Sequence, residues 1–190
     1  MNEFRRKNIR LPPLSYIGRQ WYFVTVCTED RREELEDEAL VRDNLSLLGS
    51  QANEDGFAIR AFCFMPDHLH LLLSGEREDS NCLAFVKGFK QRSAFEFSCK
   101  AGRRLWQRGF YDHVLRPTDT WEAVAWYIWM NPVRAGLCQR AEEWPFSGPE
   151  TLDGKKMIAP SEQTWVPPWK RNAGLNPGAT ARATPEEAPE

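Results

Sequence analysis

Two pairs of residues are spaced for chemistry. His68 and His70 stand two apart in an apolar run, so on a strand both imidazoles leave one face while Leu69 and Leu71 leave the other. Imidazoles side by side on a rigid element can share a metal ion; they can equally be core histidines satisfied by hydrogen bonds. A zinc site would need further N or S ligands, and neither His113, the other histidine, nor any cysteine stands at an obvious ligand spacing. Tyr127 and Asn131 are four apart, which on a helix places them on one face. By spacing alone, Tyr127 is one aromatic among Trp121, Trp126 and Trp129, and Asn131 is the residue that precedes Pro132.

The elements that must carry these residues follow from hydrophobic period. Residues 21 to 27 (WYFVTVC) are β-branched and aromatic and suit a buried strand. Leu40, Val41, Leu45, Leu47 and Leu48 recur at mainly helical spacing over 37 to 54, closed by Asp55-Gly56. Residues 57 to 64 and 68 to 73 are apolar runs split by Met65-Pro66-Asp67, a hairpin pattern. A second helix is predicted from Asn81 to about Lys100 with Gly102 beyond its end, then a strand over 110 to 115. A third helix is predicted from Asp119 to Met130, opened by Asp119 with Glu122 three residues on and stopped by Pro132. The order β-α-β-β-α-β predicts an α+β fold, a ferredoxin-like antiparallel sheet with an added C-terminal helix carrying Tyr127.

A chain of 190 residues has room for one domain and a tail, and with 42% hydrophobic residues and eight Trp it can bury a core. Five scattered cysteines with no CxxC pair predict reduced thiols rather than a disulfide framework. No run of about 18 apolar residues occurs, and MNEFRRKNIRLPP lacks an apolar stretch after its basic residues. A soluble, cytoplasmic protein is expected. The formal charge of -2 hides a polarised chain. Lys87, Lys90, Arg92, Lys100, Arg103, Arg104, Arg108 and Arg116 face only Glu96 and Asp112 within residues 81 to 116, while acidic side chains gather in 29 to 38 and near the end. Such a stretch suits a phosphate backbone, with Trp106, Phe110 and Tyr111 available for base stacking; a solvated helix face is the plainer alternative.

The strings FMPDHLHLLL, LWQRGFYDHVLR, WYIWMNPVRAGL and EEWPFSG, in that order, resemble the REP-associated tyrosine transposases, a branch of the single-tyrosine HUH (IS200-like) transposases. The resemblance spans roughly residues 12 to 148. It implies a transposase domain over 1 to 148. The remaining 149 to 190 read as a C-terminal extension in which Trp165 to Trp169 could dock on the domain, and from about Asn172 a Gly, Pro, Ala, Thr and Glu composition without a core-forming pattern predicts disorder. The resemblance also implies cleavage and rejoining of single-stranded DNA at hairpin-forming, repetitive palindromic sequences. By motif position, Tyr127 becomes the nucleophile, His68 and His70 the metal ligands, and Asn131 a further metal-facing oxygen. Lys87, Lys90, Arg92, Arg103, Arg104, Arg108 and Arg134 become candidate DNA contacts. Trp129 and Met130 stand where the family commonly has His and Leu, positions without catalytic roles.

The chemistry agrees with those residue types. A protonated phenol is a poor nucleophile, and a divalent cation on the scissile phosphate can draw off developing charge. Mg²⁺ or Mn²⁺ is expected, Mn²⁺ being the easier fit to two imidazoles. Tyr111 is the competing tyrosine, but a strand in the sheet core would fix its hydroxyl. Three other readings stand beside this one: a nucleic-acid-binding protein without catalysis, a replication or conjugation nickase of the same HUH chemistry, and a plain metal hydrolase. The first and third need no Tyr127.

Overall fold

The computed structural model describes residues 11–148 and 165–168, with the backbone of 151–152 and 155–156. Nine elements matter for the site: β1 (Trp21–Cys27), α1 (Glu38–Asp55), β2 (Phe57–Met65), β3 (His68–Gly75), α2 (Cys82–Ala101), β4 (Tyr111–Val114), α3 (Trp121–Trp129), α4 (Asn131–Arg134) and β5 (Ser147–Gly148). The strands form one antiparallel sheet in the order β4-β1-β3-β2-β5. The first four strands and two helices are the expected ferredoxin-like βαββαβ, with β5 added at the β2 edge. Among the described residues no helix is long and apolar enough to cross a membrane.

Capping explains where the two long helices begin and end. The Asp37 carboxylate accepts from the amides of Ala39 and Leu40, and α1 closes at Gly56, whose φ of 71° is the left-handed conformation that glycine adopts freely. The Asn81 side chain caps α2 by accepting from Ala84 at 3.0 Å.

Period 2 divides the sheet into two faces. Tyr22, Val24, Val26, Leu69, Leu71 and Leu73 turn toward α1 and α2, where Val41, Leu48, Phe85 and Phe89 complete the main core. Phe23, Ala61, Cys63, Met65 and Leu72 turn to the other face, under Val124, Tyr127 and Ile128 of α3. In β2 the sides change midway. Phe57 and Ile59 face the long helices, as do Phe62 and Phe64, because the register shifts between Ile59 and Ala61. The irregularity at Arg60 reverses the alternation and so puts Cys63 and Met65 on the α3 face, beside the histidines.

Two details of the third helix differ from expectation. It starts at Trp121 with Thr120 as a cap that makes no side-chain bond. Asp119 is drawn away instead, accepting from the Arg116 amide, pairing with His113 and accepting from the Trp165 indole. Pro132 does not end helical structure: after Met130 it enters the first turn of α4, where a missing amide hydrogen costs nothing. The extension does reach back, since Trp165 is buried against Phe23 and Tyr127. Trp169 and the expected disordered tail lie outside the described residues.

Phe85 has no exposed surface and meets Phe57 at a 5.0 Å ring separation across the main core. Phe85→Ala should therefore lower the free energy of unfolding by about 3–5 kcal/mol, read from urea denaturation. A loss under ~1 kcal/mol would show that the packing of α2 on the sheet is not as described.

Candidate active site: a histidine pair facing a helix tyrosine

Strand pairing fixes the histidines. Thr25 lies opposite His70 and Cys27 opposite His68 in the β1–β3 register. The Nε2 atoms of His68 and His70 are 3.0 Å apart, and each Nδ1 is held from behind: His70 by the Thr25 hydroxyl at 2.8 Å, His68 by Asp67 Oδ1 at 2.5 Å. A carboxylate only accepts, so His68 Nδ1 is the donor to Asp67, which leaves Nε2 as the nitrogen that faces His70 in the pocket. Burial alone would raise Asp67, but the bond from His68 and the positive charge of Arg31 outweigh it and hold Asp67 below the ordinary carboxylate range. Arg31 Nε meets the other Asp67 oxygen at 2.8 Å, and Arg31 Nη1 donates to Cys27 Sγ at 2.9 Å.

The opposite wall is α3 and the turn after it. Tyr127 is buried, with its ring centroid 6.1 Å from that of His70 and 5.2 Å from that of Trp165. The Asn131 amide nitrogen donates to the carbonyls of Tyr127 at 3.0 Å and Ile128 at 3.3 Å. Two carbonyl partners assign that atom as nitrogen, so the amide oxygen is the end left for the pocket. Arg134 donates to the Tyr127 carbonyl and lays its guanidinium carbon 4.2 Å from the centre of the Tyr127 ring. Burial draws Arg134 below the usual guanidinium value, opposed by Tyr127 and Cys63. The pocket between the two walls holds about 500 Å³. A larger groove of about 650 Å³ between α1 and α2 gathers none of these side chains.

The fold therefore brings His68, His70, Tyr127, Asn131 and Arg134 to one cavity. Among the described residues no three His, Cys, Asp or Glu side chains converge on a metal position. Tyr111 stands differently from expectation: it begins an edge strand, is half exposed and lines the same cavity. The expected DNA contacts fall outside the pocket, Arg134 excepted, and most have protein partners. Lys90 Nζ donates to the carbonyls of Gln107, Arg108 and Gly109 and so shapes that loop. Arg92 pairs with Glu54, Arg103 with Glu34 and Arg104 with Glu29; the Arg92–Glu54 pair is exposed on both sides and contributes little, whereas Glu34 is mostly buried and takes two bonds from Arg103. Lys87 and Arg108 make no ion pair among the described residues. Sequence reading did not single out Thr25, Arg31 or Asp67 for the site, and it took Asp119 for the opening of a helix. Asp67 alone carried a local signal, being adjacent to His68 in the turn.

The sheet carries a histidine pair on its central strand and a tyrosine helix over it, and comparison with known proteins gives the family. Residues 17–130 match the family described as Transposase IS200 like, and the chain belongs to that family. It is 26% identical over 147 residues to the REP-associated tyrosine transposase of Escherichia coli (strain K12), a match covering 77% of this chain and 82% of the relative. A Haemophilus influenzae protein of the same transposase name is 25% identical over 137 residues, covering 66% of this chain and 77% of that one. Among solved structures, a REP-associated tyrosine transposase bound to a REP hairpin superposes with a TM-score of 0.58 at 26% identity, over 77% of this chain and 82% of that one.

Asp119 links β4, α3 and the extension. Burial would raise it, but the Arg116 amide and the His113 and Trp165 side chains together keep it below its ordinary value of 3.8. A carboxylate depressed on folding stabilises the protein above its unfolded value and loses that contribution as pH falls through the folded value. Asp119→Asn should thus lower Tm at neutral pH, and its difference from the parent should shrink as pH falls below the ordinary value of 3.8. Thermal melts that stay parallel down to acid pH would contradict this.

Proposed function

We propose that this transposase cleaves and rejoins single-stranded DNA at hairpin-forming repeat sequences, through a 5′-phosphotyrosine on Tyr127, with a divalent cation held by His68, His70 and Asn131. The observation that carries this reading is the meeting of two opposed Nε2 atoms and Tyr127 across one pocket. The donor set fits such a cation: the two Nε2 atoms, 3.0 Å apart, and the Asn131 amide oxygen would hold it from opposite walls of the pocket. Two imidazoles favour Mn²⁺, while the Asn131 oxygen and phosphate oxygens also suit Mg²⁺. When bound, the ion would withdraw charge from the scissile phosphate.

The chain's own groups do the rest. The Tyr127 hydroxyl oxygen bonds to phosphorus and gives up its proton, the bond from phosphorus to O3′ breaks, and the departing oxygen takes a proton to become a free 3′-hydroxyl. One phosphodiester replaces another, so the step runs backward without a nucleotide cofactor. Arg134 sets a fixed positive charge against the ring on which negative charge develops. Thr25 and Asp67 keep both imidazoles in place, so little reorganisation is left for the reaction itself. A hairpin substrate is supported by the structural neighbour bound to a REP hairpin. Lys87 and Arg108 serve the phosphate backbone directly, and Arg92, Arg103 and Arg104 do so by exchanging their carboxylate partners for phosphates.

With a labelled single-stranded hairpin, Tyr127→Phe should reduce cleavage by about 1,000-fold or more while leaving affinity within about threefold. Tyr111→Phe should keep cleavage within about tenfold of the parent. The reverse order would move the nucleophile to β4. Chelator or His70→Ala should stop cleavage, and His70→Ala should weaken Mn²⁺ binding, read by calorimetry, by about 10–100-fold. Full cleavage in chelator would remove the cation from the account.

A further inference from the structure

The turn that follows β1 carries an arginine to the pocket by an uncommon backbone path. Asp30 and Arg31 have φ of 56° and 57°, the left-handed region that residues with a Cβ seldom enter. The turn is tied down around them. Thr28 donates its amide to the Asp67 carbonyl and its hydroxyl to the carbonyls of Asp67 and Arg32, and its own carbonyl accepts from the Arg31 amide. The result is that the Arg31 side chain folds back over Cys27 and lines the cavity shared by His68, His70, Tyr127 and Asn131.

The arginine is anchored on one edge and open on another. A guanidinium has five N–H donors in a rigid fork. In Arg31, Nε is spent on Asp67 and one Nη1 hydrogen on Cys27, while the side chain remains 48% exposed. Both oxygens of Asp67 are occupied, by His68 and Arg31, so no free carboxylate edge in that cluster competes with an incoming anion. The other cation of the cavity, Arg134, is committed to the ring and carbonyl of Tyr127. The remaining Arg31 donors thus stand on the histidine side, opposite the tyrosine, where a phosphodiester between the two walls presents its non-bridging oxygens.

We propose that Arg31 is a further catalytic residue, whose free guanidinium N–H groups hold a non-bridging oxygen of the scissile phosphate between the histidine pair and Tyr127. This rests on the cleavage reading above. Such a contact strengthens as negative charge builds on phosphorus-bound oxygens in the transition state. Arginine suits it better than lysine, because one planar fork can grip Asp67 and the phosphate at once.

The test uses the full chain and separates contact with the phosphate from support of the fold. The cleavage position on a single-stranded REP-type hairpin is first mapped with the parent protein. Two oligonucleotides are then compared, one natural and one with an uncharged methylphosphonate at that position only. Affinities are measured in chelator for Tyr127→Phe, for Tyr127→Phe with Arg31→Met, and for Tyr127→Phe with Arg31→Lys. The Tyr127→Phe protein should prefer the natural phosphate by about tenfold. Arg31→Met should reduce that preference to about twofold or less, and Arg31→Lys to an intermediate value. A preference that survives Arg31→Met, or an equal loss of affinity for both oligonucleotides, would overturn the proposal and leave a structural role. Should Arg31→Met fail to fold, Arg31→Lys decides, a full tenfold preference overturning the proposal. A parent protein that cleaves no hairpin fails the cleavage reading first and takes this assignment with it, whereas cleavage with an Arg31-independent preference defeats this assignment alone.

Discussion

In the antiparallel pair of β1 and β3, Thr25 stands opposite His70 and Cys27 opposite His68, and on the far side β2 sets Cys63 and Met65 against the same two histidines. That register is chosen by the other face. Leu69, Leu71 and Leu73 are buried under α1 and α2, at about 1.5–3 kcal/mol each. The side-chain bonds to the two imidazoles contribute on the order of 1 kcal/mol apiece. The leucines thus dictate the pairing, and the histidines are carried to the opposite face. A slip of one residue would bury the imidazoles among the helices and expose the leucines, so the site cannot be lost without losing the core.

The second wall is assembled by a short-range device. Met130 leaves the helix with ψ near 3°, and Pro132 restarts a helical turn at once. This brings Asn131 and Arg134 back onto Tyr127, where both side chains bond to its carbonyl. Tyrosine, amide and guanidinium are therefore positioned as one unit. The unit is closed from the C-terminal side by Trp165, which touches Tyr127 and Phe23 and donates to Asp119. Asp119 in turn pairs with His113 on β4, so the edge strand and the helix share one anchor.

The order of the elements and both long helices were legible in the sequence because their signals are local: the β-branched and aromatic run WYFVTVC, the helical spacing of the leucines after Asp37, and Gly56 and Gly102 as stops. The histidine pair was legible for the same reason. What escaped depends on distant partners. The basic count over residues 81 to 116 could not foresee that Glu29, Glu34 and Glu54 would fold against Arg104, Arg103 and Arg92. Nor could Asp119 be told from a helix cap until His113 and Trp165 arrived to claim it. The reversal of alternation at Arg60 and the left-handed turn at Asp30 and Arg31 are backbone events with no compositional mark, since neither position is glycine.

The mechanism turns on which oxygen takes the phosphate. Two tyrosines line the cavity, Tyr127 from the helix and Tyr111 from the edge strand. The most direct measurement is to trap the reaction on a single-stranded hairpin, digest protein and DNA, and locate the residual nucleotide by tandem mass spectrometry. The expected product is a 5′-phosphate ester on the peptide containing Tyr127. The same ester on the Tyr111 peptide, or cleavage with no protein-linked nucleotide at all, would contradict the mechanism.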